Sequence, residues 1–121
     1  MPDTGPELRR QAAPDGPTIT GFAGKQIKID GNPRPGGVIL TPAAAHDWDG
    51  VDLAAAAALD PPPEFILVGT GATLVRPKGS LVSAYEARGI GIEAMDSRAA
   101  ARAWTLLRAE GRWISAAILP L

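Results

Sequence analysis

Apolar residues begin to recur with order at Ile19 and Phe22 and then at Ile27 and Ile29, which alternate with Gln26, Lys28 and Asp30. Strict alternation is the pattern of a strand with one face buried, so two strands are predicted, Ile19–Phe22 and Gln26–Ile29, joined at Ala23-Gly24. Gly31-Asn32-Pro33 and Pro35-Gly36-Gly37 then break the chain, and Val38-Ile39-Leu40 forms a short third strand that ends at Thr41-Pro42. The alanine-dense stretch Val51–Leu59 predicts a helix, because alanine has the highest helix propensity. Asp49 or Asp52 lies near its start, where a negative side chain favours the exposed amides, and Asp60 with Pro61, Pro62 and Pro63 stops it.

Phe65-Ile66-Leu67-Val68 shows no polar alternation, which fits a strand covered on both faces at the centre of a sheet. Ser80 is a candidate cap for a helix over Leu81–Arg88, with Leu81, Ala84, Tyr85 and Arg88 on one side and Gly89 at its end. Ile90, Ile92 and Ala94 alternate with Gly91 and Glu93 as a strand. Asp96 or Ser97 caps a longer helix through about Glu110, whose apolar stripe is Ala100, Ala103, Trp104, Leu106 and Leu107, and Gly111 ends it. Trp113–Leu119 is the last strand. The β-α-β-α-β order of this half predicts parallel strand pairs with helices packed on the sheet, and the first half adds a β-hairpin.

Composition narrows the picture. At 121 residues the chain is expected to hold one domain, residues 17–121, after a flexible tail over 1–16 that carries Pro2, Pro6 and Pro14 without apolar periodicity. The absence of cysteine excludes disulfides, thiol catalysis and cysteine-ligated zinc or iron–sulfur sites. Net charge is −1, from 12 basic and 13 acidic residues without a run of one sign, which argues against a nucleic-acid surface. No apolar stretch is long enough to span a membrane, and the N-terminus lacks the apolar core of a secretory signal, so the cytoplasm is the expected location.

Candidate chemistry centres on Gly69-Thr70-Gly71, which follows a buried strand at the position where α/β folds often bind ligands. A dinucleotide fingerprint would need a glycine where Leu74 stands, and Lys78-Gly79-Ser80 lacks the glycine-rich loop of a nucleotide-triphosphate site. The loop therefore reads either as a tight turn or as a ligand contact. Glu93 and Asp96 are a carboxylate pair in sequence, although Asp96 also suits a helix cap and Glu93 an ion pair with Arg102. Gly69, Thr70, Gly71, Glu93, Asp96 and Arg102 are thus the candidate ligand or partner site. His46, the one histidine, has Asp47 and Asp49 beside it, too close in sequence to enclose a metal unaided, and no Gly-x-Ser-x-Gly elbow accompanies it. No catalytic residues, metal or cofactor are expected. Trp104 lies on the helix stripe and belongs in the core. Trp48 and Trp113 lie near element ends, where partial exposure is open to them, and are candidate interface anchors.

From Phe65 onward the order of residues resembles the Mth938-like family. The resemblance rests on Val68-Gly69-Thr70-Gly71, Gly89-Ile90-Gly91-Ile92-Glu93-Ala94-Met95-Asp96, Ala99-Ala100-Ala101-Arg102, Glu110-Gly111-Arg112 and Ala116-Ala117-Ile118-Leu119, and extends to the Ile19–Leu40 strands and the Trp48 region. It implies a three-layer α/β fold with a mixed central β-sheet, flanking helices and an N-terminal β-hairpin. It implies no cofactor and no established catalysis. The family includes a mitochondrial assembly factor of respiratory complex I, which implies a partner among respiratory-complex subunits or assembly factors, met at the inner face of the membrane. Where that family often has Thr-Tyr-Asn, this chain has Ala103-Trp104-Thr105, which removes polar groups from any pocket there.

Overall fold

A computed structural model describes residues 16–121. The tail expected over 1–16 lies, apart from Gly16, outside the described residues. Three short strands come first: β1 (Ile19–Ala23), β2 (Gln26–Ile29) and β3 (Asn32–Arg34), paired antiparallel in that order. The third is a strand where the sequence suggested only a break. Asp30 and Gly31 adopt φ of 50° and 85°, the mirror-image turn whose twist suits a tight hairpin, and Pro33 is tolerated because β3 is an edge strand.

A five-stranded sheet follows, made of β4 (Gly37–Leu40), β5 (Ala45–Trp48), β6 (Phe65–Gly69), β7 (Gly91–Met95) and β8 (Ser115–Ile118), in the order β5-β4-β8-β6-β7. β4 pairs antiparallel with β5 and β8, while β6 pairs parallel with β7 and β8, so the sheet is mixed. β5 has no strand signal in the sequence: its two polar residues, His46 and Asp47, are adjacent and break any alternation, and β4 supplies the pairing. β8, not Phe65–Val68, holds the middle position, and every residue of it is buried. β6 is interior and covered on both faces, as its unbroken apolar run predicts.

The helices are α1 (Ala54–Ala57), α2 (Gly79–Glu86) and α3 (Ser97–Ala109). Only the four residues of α1 are helical in the expected Val51–Leu59 stretch. The Asp49 carboxylate accepts from the amides of Val51 and Asp52 and folds them into a turn, and the Trp48 indole takes the Asp52 carbonyl at 2.9 Å, removing it from any helical ladder. At the other end the Ser115 hydroxyl donates to the Ala56 carbonyl at 2.7 Å. Helix α2 starts earlier than expected, and Ser80 lies inside it rather than capping it. Its first turn closes on the carbonyl of Lys78, which is extended and offers no side-chain cap. Helix α3 matches its expected bounds, and Asp96 is its cap, with Oδ1 accepting from the Ala99 amide at 2.9 Å.

Two apolar clusters sandwich the five-stranded sheet. One face buries Leu67, Ala116 and Ile118 against Ala100 and Trp104 of α3 and against Ile27 and Ile29 of the hairpin sheet. The other buries Ile39, Ile66 and Ala117 against Ala56 and Ala57 of α1, with Leu81 and Tyr85 of α2 packed alongside. This is the expected three-layer α/β architecture. Trp104 fills the first cluster and donates its indole N–H to the Pro17 carbonyl at 3.3 Å, tying the start of the domain to α3.

Candidate functional site

β6 leads into α2 on one face of the sheet, and its neighbour β7 leads into α3 on the other. Adjacent parallel strands whose connections leave to opposite faces create the crevice in which open α/β sheets commonly take ligands. Gly69, Thr70, Gly71 and Asp96 stand at this crevice. Its polar groups are engaged by the protein itself. The Ser97 hydroxyl accepts from the Gly71 amide at 2.8 Å and donates to the Leu119 carbonyl at 2.6 Å. The Ser97 amide donates to the Gly71 carbonyl at 2.8 Å, the Thr70 amide to the Met95 carbonyl at 2.9 Å, and the Leu119 amide to the Gly69 carbonyl at 2.9 Å. The Thr70 hydroxyl donates to the Thr73 carbonyl and accepts from the Val75 amide. Three strand ends and the first turn of α3 are thereby stitched together.

Both glycines follow from this closeness. A Cβ at Gly69 would stand 2.8 Å from Ile118 Cγ2 and 3.1 Å from the Ser97 Cα, and Gly71 adopts φ of +100°. The loop is a tight turn whose amides are occupied. Ser97, which sequence reasoning weighed only as a helix cap, is the fully buried hub of this end.

The other candidate residues are dispersed. Glu93 is exposed on β7, an edge strand, and among the described residues it forms no ion pair with Arg102. Arg102 lies on the outer surface of α3. Trp48, a candidate interface anchor, is buried at 9 % exposure among Leu53, Ile39 and their neighbours. Trp113 retains 37 % exposure and donates to the Pro61 carbonyl at 2.7 Å, fixing the proline segment before β6. His46 and Asp47 are exposed on β5, and Asp47 pairs with Arg34 at 3.3 Å. Glu64 pairs with Arg112 at 2.6 Å, and that guanidinium holds its carboxyl below the usual value.

Among the described residues two concavities have mainly apolar linings. The larger, about 660 Å³, runs between β1 and α3 and is lined by Ile19–Phe22 on one side and by Arg98, Arg102 and Leu106 among others on the other. The small residues Ala101, Thr105 and Ala109 keep its helical wall low. Leu106, placed by sequence on the buried stripe, is 61 % exposed here. The signal was present: two residues past Trp104 is a rotation of about 200° around the helix, nearly opposite the core. The smaller pocket, about 370 Å³, lies on the other face beside Thr70, between Trp48, Leu53 and Val68 and the segment carrying Val75, Arg76 and Lys78.

The profile of the proteins of unknown function DUF498/DUF598 matches residues 19–119, nearly the whole described domain. The chain belongs to the DUF498/DUF598 family. An uncharacterised protein of Rhodobacter capsulatus is 38 % identical over 105 residues, covering 85 % of this chain and 84 % of that protein. A crystal structure from Bordetella parapertussis superposes with a TM-score of 0.80 at 29 % identity, covering 90 % of this chain and 99 % of the other. A solution structure from Bordetella pertussis, described as a Mth938-like domain, gives 0.74 at 26 % identity over 86 % of this chain and 85 % of the other. The Mth938-like resemblance and its fold therefore hold for this DUF498/DUF598 protein. Among the described residues, no helix is long and apolar enough to cross a membrane.

Proposed function

We propose that this protein is a non-catalytic binding module that holds a partner protein in the groove between β1 and α3. The observation that carries the reading is the contrast in exposed chemistry. Among the described residues the groove presents uncovered apolar surface, including Leu106, whereas the crevice at the strand ends has its amides and hydroxyls engaged internally. The Mth938-like relationship supports a finer form of the proposal, in which the partner is a subunit or assembly factor of respiratory complex I. The protein would then work in the cytoplasm and reach the inner face of the membrane through that partner. The test is capture of the tagged protein at native expression level from gently solubilised cells, followed by mass spectrometry. Respiratory-complex subunits among the captured proteins support the finer reading. Recovery of nothing above background removes the binding-module reading.

A second reading is favoured by the pocket beside Thr70, whose apolar walls and basic rim of Arg76 and Lys78 suit a small amphipathic anion. Thermal shifts across a metabolite library test it. A shift abolished by Val68→Trp, which fills the pocket, would support it, and a library without any shift would exclude it.

A further inference from the structure

The groove has a polarity along its length that specifies its occupant more closely than apolar surface alone. Arg98 and Arg102 lie one turn apart on α3, at the end of the groove where the Arg98 guanidinium stands 5.9 Å from the centre of the Phe22 ring. Leu106 and Ala109 lie at the other end, where Trp104 reaches the Pro17 carbonyl just before β1. Among the described residues no acidic side chain lines the groove, and neither arginine takes part in an ion pair. The other wall is β1, which pairs with β2 on one side and, among the described residues, with no strand on the other. An edge strand with unpaired main-chain groups is a template for an added strand.

The dimensions agree. From Arg98 to Ala109 the helix rises about 16 Å, and β1 from Ile19 to Ala23 extends about 13 Å, so one short extended segment would meet both walls along most of its length. We propose that the groove binds an extended segment of a partner protein that adds to the edge of β1, with its acidic residues at Arg98 and Arg102 and its apolar residues at Leu106 and Ala109. This rests on the binding-module reading and names the chemistry of the partner segment. β1 runs opposite to α3, with Phe22 near Arg98 and Pro17 near Trp104. For antiparallel addition the acidic residues therefore precede the apolar ones. Carboxylates suit guanidinium donors because charge-assisted hydrogen bonds are the strong ones, and the apolar half supplies the area.

The test is titration of the isotope-labelled full chain with an end-blocked peptide of glutamates followed by valines, read by amide chemical shifts. Saturable shifts confined to Ile19–Phe22 and to Arg98–Ala109 are expected. The double variant R98E/R102E should weaken binding about tenfold or more, keep the wild-type melting temperature, and bind the matching peptide of lysines followed by valines. N-methylation of alternate peptide amides should abolish binding on one register only. Equal binding of the lysine peptide by the unaltered protein, or indifference to N-methylation in both registers, would overturn the assignment. Groove shifts that depend on protein concentration without peptide would give the groove to a second copy of the chain and also overturn it. Capture from cells with both proteins separates the two readings. A partner recovered equally by wild type and R98E/R102E leaves the binding module standing and removes the groove, whereas a partner recovered by neither removes both.

Discussion

Helix α3 serves two regions that treat hydrogen-bonding groups in opposite ways. At its N-terminus, Ser97 and Asp96 draw the ends of β6, β7 and β8 into a closed set of short bonds, and little is left for a ligand to satisfy. Along its outer face, Arg98, Arg102 and Leu106 stand before β1, and among the described residues nothing covers their charge and apolar area. At the position that fold analogy favours for binding, these donors and acceptors are already paired within the chain. Location in a fold is therefore weaker evidence for a site than the state of the donors and acceptors found there.

The largest test of this contrast is at Gly69. Replacement by valine drives side-chain atoms into Ile118 and the Ser97 backbone and should destabilise the fold by about 3 kcal/mol, measured by urea denaturation. Ser97→Ala should follow at about 2 kcal/mol, because it leaves the Gly71 amide and the Leu119 carbonyl without their partner in a buried setting. A Ser97→Ala protein as stable as wild type would show that the stitched end is not a source of rigidity. Asp96→Ala, which removes only the cap of α3, should cost about 1 kcal/mol. On the open side the same denaturation experiment should register almost nothing: R98E/R102E is expected within about 0.5 kcal/mol of wild type, since neither side chain is buried.

The smallest effect concerns acid. The Arg112 guanidinium holds the Glu64 carboxyl below its ordinary value of 4.5, so the unfolded chain takes up that proton first. The stability this pair contributes is fully present above 4.5 and fades as pH falls through the lowered folded value. Asp49 behaves alike below 3.8, through the amides of Asp52 and Val51 that it accepts from. Glu64→Gln should lower the plateau at neutral pH slightly and flatten the acid limb of a stability–pH curve, leaving the most acid end unmoved. An unchanged acid limb would show that solvent screens the pair completely.

Much of the fold was legible because periodic burial leaves its mark locally. Asp96, the Ala100–Trp104 stripe and the apolar run of β6 each announce their element, and the run marks β6 as an interior strand, though not as the middle one. What was illegible depended on partners distant in the chain. β5 carries no strand pattern of its own and is ordered by β4. The length of α1 is set by Trp48 and Ser115, which claim carbonyls at its two ends. Pro33 disguised β3 because it reads as a breaker until its strand is known to be an edge. The candidate site was legible only as a location. Asp96 and Gly71 both lie at the strand ends, but it is Ser97, not Asp96, that bonds Gly71. The groove joins β1 to a helix near the other end of the chain, a juxtaposition that local pattern does not carry.

The three tryptophans give the molecule an intrinsic optical record of its layers. Each indole donates to a main-chain carbonyl, from Trp48 to Asp52, from Trp104 to Pro17 and from Trp113 to Pro61. Trp104 is sealed between the sheet and α3, Trp113 meets solvent, and Trp48 borders the pocket beside Thr70. Emission from Trp104 should therefore be shifted to the blue and resist soluble quenchers, that from Trp113 should be red and readily quenched, and that from Trp48 should respond to whatever enters its pocket. Variants that keep one indole each would turn the chain into its own dye, reporting separately on the melting of the α3 layer, the loosening of the proline segment and the filling of the smaller pocket.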